Sequence, residues 1–187
     1  ELVKMINTSV NINDRPSAFR YPRGNGIGIE LPSINETLII GKGRVIQEGK
    51  KVALLNFGTR LEESKKASDL LSKKGINCSI IDARFAKPLD EKLIIELASN
   101  HEVVITIEEG SIGGFGSLFM YFLSERRVFD RGLNFRSMIL PHSFIEQDTP
   151  EKMYETAGLD SLSIASKVEE TLNSNIILAK NKNKISN

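Results

Sequence analysis

Apolar runs of strand length alternate along this chain with segments of helical apolar spacing, and that alternation is its strongest constraint. Val52-Ala53-Leu54-Leu55-Asn56-Phe57 and Val103 to Ile107 are near-continuous apolar runs, and Ile76 to Asp82 reads as a strand between them. Runs of this kind fit strands covered on both faces, as in a parallel sheet. Arg60 to Lys74 follows the first run and places Ala67, Leu70 and Leu71 on one helical stripe, with Glu62 four residues before Lys66 as a surface pair and Gly75 as a stop. Asp90 is placed to cap a helix carrying Leu93, Ile94 and Leu97. Gly113, Gly114 and Gly116 lead into an apolar helix around Leu118 to Leu123, and Ser137 to Leu140 reads as a further strand stopped by Pro141. Strand–helix–strand alternation implies right-handed crossovers and a largely parallel sheet between helical layers. A short strand from Gly43 to Gly49, reached through a tight turn, is expected antiparallel to its neighbour.

The end of the chain reads as helical. Thr149-Pro150 is a cap followed by a first-turn proline, and Gly158 closes that turn. Asp160 can cap the next helix, with Leu159 and Ile164 as a hydrophobic staple and Ile164, Val168 and Leu172 facing inward. Three regions result: a polar arm and linker over residues 1–36, an α/β domain over 37–174, and an Asn/Lys-rich tail over 175–187 expected to be frayed or disordered. Glu1 to Ser9 reads as the end of a helix. The chain opens on Glu1, so it is expected to be a piece of a longer protein or a processed product.

Composition removes several function classes. Lys plus Arg is 25 against 24 acidic residues, a net charge of +1, so there is no general pull towards nucleic acid or an anionic membrane. No apolar run approaches the roughly 18 residues of a membrane span. One cysteine, Cys78, excludes an intramolecular disulfide framework and fits a reducing compartment. Cys78, His101 and His142 are too few for a zinc site of the usual kind.

Several loops remain as candidate sites. In RYPRGNGIGIELP, Arg20 to Pro32, Pro22 stiffens the backbone between Arg20 and Arg23, and Gly24, Gly26 and Gly28 allow close approach to the main chain. Two arginines held this way suit a phosphate or carboxylate; a solvated interdomain loop is the plainer reading. Glu108-Glu109-Gly110-Ser111-Ile112-Gly113-Gly114-Phe115-Gly116 joins a strand to a helix. Its paired acids suit acid/base chemistry, or simply cap and pair within a tight turn. Asp82 and Arg84 lie at a strand's carboxyl end, as a ligand site or, more plainly, as a structural ion pair or an interface loop. His101 reads as a surface or packing residue, His142 as a lone loop histidine, and Cys78 as a small core residue. No complete catalytic set emerges.

The wording of the loops is more specific than their chemistry. RYPRGNG at 20–26, IGKGRV at 40–45, FGTR at 57–60, DARFAKPLD at 82–90, HEVVITIEEGSIGGFGS at 101–117 and AGLD at 157–160 occur in order. Together they closely resemble the carboxyl-terminal part of the 1-deoxy-D-xylulose-5-phosphate synthases, thiamine-diphosphate enzymes of the transketolase superfamily. The resemblance covers about Phe19 to Leu172.

It implies a three-layer α/β/α transketolase C-terminal-domain fold, with a five-stranded mixed sheet whose first strand is antiparallel. It implies that residues before about Gly28 are the tail of a pyrimidine-binding domain. Whole enzymes of this family are homodimeric transferases that use thiamine diphosphate and Mg²⁺. They condense pyruvate with glyceraldehyde 3-phosphate and release carbon dioxide, feeding isoprenoid, thiamine and pyridoxal synthesis. A bacterial member would work in the cytoplasm, and one from a plastid-bearing eukaryote in the plastid. The second arginine of RYPRG, Arg23 here, is implied to hold the triose phosphate, while Arg20 carries no such role. The cofactor-binding, metal-binding and catalytic residues lie upstream in the family, so this piece is expected to be inactive alone and to support the dimer. The glycine-rich loop is implied to be structural and near a subunit contact.

One loop departs from the family. Many members read LPDRFIDHG where this chain has Leu140 to Asp148, so that His142 replaces an acid, Gln147 a histidine and Asp148 a glycine. Two other readings stay open. The β-type subunit of a 2-oxo acid dehydrogenase has a similar Arg-Pro-Leu-Asp loop, although RYPRGNG and EEGSIGGFGS argue against it. A free-standing assembly module without chemistry is the other.

Overall fold

The computed structural model describes residues 1–22, 26, 28, 30–33 and 35–185, with backbone alone beyond residue 174. Helix α1 (Leu2–Val10) precedes strand β1 (Arg44–Gln47), β2 (Lys51–Phe57), α2 (Leu61–Ser72), β3 (Cys78–Asp82), α3 (Glu91–Asn100) and β4 (His101–Glu108). Then come α4 (Phe115–Glu125), a 3₁₀ turn at Val128–Arg131, β5 (Asn134–Met138), α5 (Pro150–Thr156) and α6 (Ser161–Ile185). The strands form one five-stranded sheet in the order β1-β3-β2-β4-β5. β2, β3, β4 and β5 run parallel, and β1 is antiparallel.

The partner of β1 is β3, the strand beyond its sequence neighbour β2. The Gly49 turn explains how. It carries the chain across the start of β3, where Gly49 N donates to Ser79 Oγ at 2.9 Å and Lys50 N to the Asn77 carbonyl at 2.9 Å. A Cβ on Gly49 would lie 2.2 Å from the Cys78 carbonyl carbon, so the crossing requires glycine. The strand expected at 137–140 is Asn134–Met138, and the 3₁₀ turn before it was not legible. In α2 the acid-base pairs are Glu62–Lys65 and Glu63–Lys66, and not Glu62–Lys66. Glu63 also accepts from Ser161 N at 3.0 Å, which turns it towards α6.

The interior strands supply both faces of the core. Val52, Leu54, Val103, Ile105 and Ile107 pack with Ala67 and Leu71 of α2 and Ile164 and Val168 of α6. Ala53, Leu55, Ile81 and Val104 pack with Ile94 and Leu97 of α3 and Phe115, Phe119 and Leu123 of α4. Period-two alternation along each strand sends neighbouring residues to opposite layers, which yields three layers. Caps fall where expected: Asp90 accepts from Leu93 N, Thr149 from Lys152 N, and Asp160 from Leu162 N and Ser163 N. Leu159 and Ile164 are both fully buried together, as a staple requires. Gly75 takes φ +77° and lets Ile76 N return to the Leu71 carbonyl. The α6 backbone continues to Ile185, past the residue-174 limit expected for the domain.

Helix α1 is tied to the linker by Thr8 Oγ1, which accepts from Leu38 N at 2.8 Å, and by a 2.6 Å Lys4–Glu36 ion pair. Among the described residues no helix is long and apolar enough to cross a membrane.

Candidate functional site

The sheet order creates one natural crevice. The β2–β3 crossover helix α2 lies on one face, while α3 and α4 lie on the other. The loops leaving β2 and β4 therefore diverge at adjacent strand ends, the position where open α/β sheets form ligand crevices. A cleft of about 870 Å³ opens there, lined by Phe57, by the loop from Glu108 to Phe115, and by Leu118, Leu140, Arg20 and Lys87. Phe57 and Phe115 stack in it with ring centroids 4.8 Å apart.

The adjacent acids of this loop divide their work. Glu108 is 2% exposed. Its carboxylate accepts from Phe115 N at 3.0 Å and Gly116 N at 2.8 Å, which are unpaired donors of the first turn of α4. The glycines make room for that carboxylate. A Cβ on Gly110 would meet Glu108 Oε2 at 2.3 Å, and one on Gly114 would meet it at 2.6 Å. Gly116 lies against Ser137 Oγ and Thr106 Oγ1, bringing α4 close to the sheet. The capping reading of this motif holds for Glu108, which takes the Phe115 and Gly116 donors of α4.

Glu109 points the other way. It accepts from Arg60 Nε at 3.0 Å, from Tyr154 Oη at 2.8 Å and from Thr59 Oγ1. The Arg60 guanidinium lies over the Tyr154 ring, 3.4 Å from its centroid, a cation–π contact. Burial, and then the Glu109 carboxylate, push the Tyr154 hydroxyl above its ordinary pKa. This group bolts α5 to the ends of β2 and β4. Sequence reading missed Thr59, Arg60 and Tyr154. The available signal was FGTR immediately after an apolar strand, a position that faces the crevice.

The loop after β3 is closed by its own charges. Asp82 accepts from Arg44 Nε at 3.2 Å and from Arg84 N at 3.2 Å. Burial pushes the Asp82 carboxyl above its usual range, and the Arg44 charge offsets only part of that. Arg84, at φ +57°, reaches Glu1 Oε1 at 3.0 Å. Burial raises the Glu1 carboxyl, but Arg84 and Arg44 outweigh it and hold the group below its ordinary value. Asp90 caps α3, accepts from Gly43 N at 3.2 Å and pairs with Lys42 at 3.0 Å. A Cβ on Gly41 would lie 2.7 Å from the Pro88 ring. IGKGRV and DARFAKPLD thus clamp each other; Asp82 and Arg84 do serve in ion pairs, but with Arg44 and Glu1 and not with each other.

Arg23 lies outside the described residues. Arg20, to which no role was carried over, reaches the cleft. His101 bridges Ser79 Oγ and the Leu97 carbonyl, a packing role. His142 is an exposed loop residue. Cys78 is fully buried, and burial pushes its thiol up to about 12, which makes it inert at neutral pH. Among the described residues no group of three or more His, Cys, Asp or Glu side chains is placed to hold a metal ion.

Residues 41–164 match the family described as transketolase, C-terminal domain. The chain belongs to the transketolase C-terminal domain family. A solved structure described as a split gene transketolase, inactive beta4 tetramer, is 28% identical with a TM-score of 0.67, over 78% of this chain and 46% of that one. Transketolase from Campylobacter jejuni is 16% identical with a TM-score of 0.51, over 70% of this chain and 18% of that one, a likeness of fold. This transketolase C-terminal domain thus spans less than half the length of either neighbour. The family fold and the antiparallel first strand agree with the expectation drawn from the loops.

Proposed function

We propose that this chain is the carboxyl-terminal part of a 1-deoxy-D-xylulose-5-phosphate synthase, which joins pyruvate to glyceraldehyde 3-phosphate with loss of carbon dioxide. The observation carrying this reading is the wording of RYPRGNG and EEGSIGGFGS within a transketolase C-terminal domain. Thiamine diphosphate supplies the carbanion chemistry of such enzymes, and it and Mg²⁺ are assigned to domains other than this one. The acids described here do not fit that role, because Glu108 and Glu109 are committed to backbone and side-chain donors of the domain itself. The domain's work is to pack against the thiamine-binding domains in a cytoplasmic homodimer and to present the 20–26 segment, with Arg23 on the triose phosphate. The neighbour named as an inactive tetramer of one split-gene product supports inactivity of this chain by itself.

The test is kinetic, on the whole enzyme assembled with its thiamine-binding domains. Pyruvate plus glyceraldehyde 3-phosphate should give carbon dioxide and the deoxyxylulose phosphate. Arg23→Ala should raise KM for the triose phosphate about ten- to a hundred-fold, because a charge-assisted phosphate contact contributes about 1.5–3 kcal/mol. KM for pyruvate should stay unchanged. Ketol transfer between sugar phosphates without pyruvate decarboxylation would identify a transketolase instead, the reading favoured by the name of the 28% identical structural neighbour.

A further inference from the structure

We propose that Arg84 is a positioning residue for the 20–26 segment, acting through Glu1 and helix α1; this rests on the reading of that segment as the phosphate contact. The guanidinium meets Glu1 with two atoms. Its Nη2 donates to Oε1 at 3.0 Å, and its Nε lies 2.8 Å from Oε2. Arg44 Nη1 lies 3.0 Å from the same carboxylate, and Arg44 Nε reaches Asp82. Two arginines and two acids thus form one group, and a charge network fixes geometry where a lone surface pair does not. Glu1 directly precedes α1, so the group ties the start of that helix to the end of β3. The buried Thr8 ties its other end to the linker through Leu38 N. Beyond α1 the chain turns back, and the Ser9 and Ser17 hydroxyls meet at 2.6 Å. Three residues later Arg20 reaches the cleft beside β2 and β4. The path from the β3 end to the start of the 20–26 segment is therefore pinned at three points, the first of them at Arg84. The backbone there supports a role for the side chain. Phe85 N returns to the Ala83 carbonyl at 2.6 Å around φ +57° at Arg84, a tight turn in the region that favours glycine. A long cationic side chain stands where glycine would be less strained, so the guanidinium and not the backbone accounts for the residue.

The experiment compares Arg84→Gly and Arg84→Lys with the native protein. Glycine suits φ +57°, so the first variant removes the guanidinium without straining the loop. Amide hydrogen exchange of the chain should quicken about ten-fold at Met5 to Val10 and stay unchanged in β2 and β4. In the whole enzyme assembled with its thiamine-binding domains, Arg84→Gly should raise KM for the triose phosphate about ten-fold and leave KM for pyruvate unchanged, because only the ligand of the arm loses a placed contact. Arg84→Lys keeps a cation facing Glu1 and should recover most of both effects. Unchanged exchange in Arg84→Gly overturns the proposal. So does faster exchange with an unchanged KM for the triose phosphate, or a parallel rise in both KM values, which marks a role in stability alone. The readings it rests on fail separately. If Arg23→Ala has no effect while Arg84→Gly raises KM, the phosphate contact moves elsewhere on the arm and the positioning role stands. If the enzyme transfers ketol groups without decarboxylating pyruvate, the synthase reading falls, and the exchange result with KM for the acceptor sugar phosphate decides the role of Arg84.

Discussion

The carboxyl ends of β3 and β4 both carry clustered charges, yet one end is closed and the other open. After β3, Asp82, Arg84 and Asp90 are consumed by partners from α1, the start of β1 and α3. Pro88 packs against Gly41, where a Cβ would lie 2.7 Å from its ring. After β4, Glu108 folds back onto its own helix and Glu109 reaches sideways to Arg60 and Tyr154. Among the described residues a cleft remains beside them at the end of β2. The cause is topological. β3 is flanked by β1, whose incoming chain covers its end, whereas the crossovers beyond β2 and β4 leave on opposite faces. Similar residue types thus build a clamp in one place and a crevice in the other.

The contrast can be broken experimentally. Glu108→Ala should have the largest effect, a loss of about 2–4 kcal/mol of unfolding free energy, because it strands buried N–H donors of α4. Urea denaturation measures it. A loss below about 0.5 kcal/mol would mean that water reaches the α4 terminus and that the loop is not held by its own acid.

On the β3 side, Asp90→Ala should cost about 1–2 kcal/mol, the range for removing a helix cap. The cross-link to Gly43 N goes with it. The same denaturation measurement applies, and a loss equal to that of Glu108→Ala would erase the distinction between the two ends.

The smallest effect is a pH slope. Burial raises the Asp82 carboxyl in the folded state, so the proton is held more tightly there than in the unfolded chain. Its contribution to stability is therefore present below the unfolded value and lost as pH rises through the folded one. Relative to Asp82→Asn, the native chain should lose stability as pH climbs above about 3.8, then level off. A difference growing in the opposite direction would show that the Arg44 contact outweighs burial, making the β3 end an ion-paired site and not merely a filled one.

Much of the frame was legible in the chain because its causes are local. The apolar runs of β2 and β4 and the caps at Asp90, Thr149 and Asp160 act over a few residues, where backbone geometry and side-chain chemistry leave little choice. The loop motifs carried the family resemblance, and residues 41–164 bear out the domain it implied.

What only the tertiary structure decided lies between residues far apart. The pairing of β1 with β3 depended on whether the chain could pass over Cys78, a matter settled by Gly49 and the packing beneath it. Glu108 and Glu109 are chemically identical neighbours. Strand alternation sends one to the α4 layer and lets the other meet Tyr154, 45 residues away. Local propensity cannot encode such a meeting, because it exists only once sheet order has placed the ends of β2 and β4 side by side.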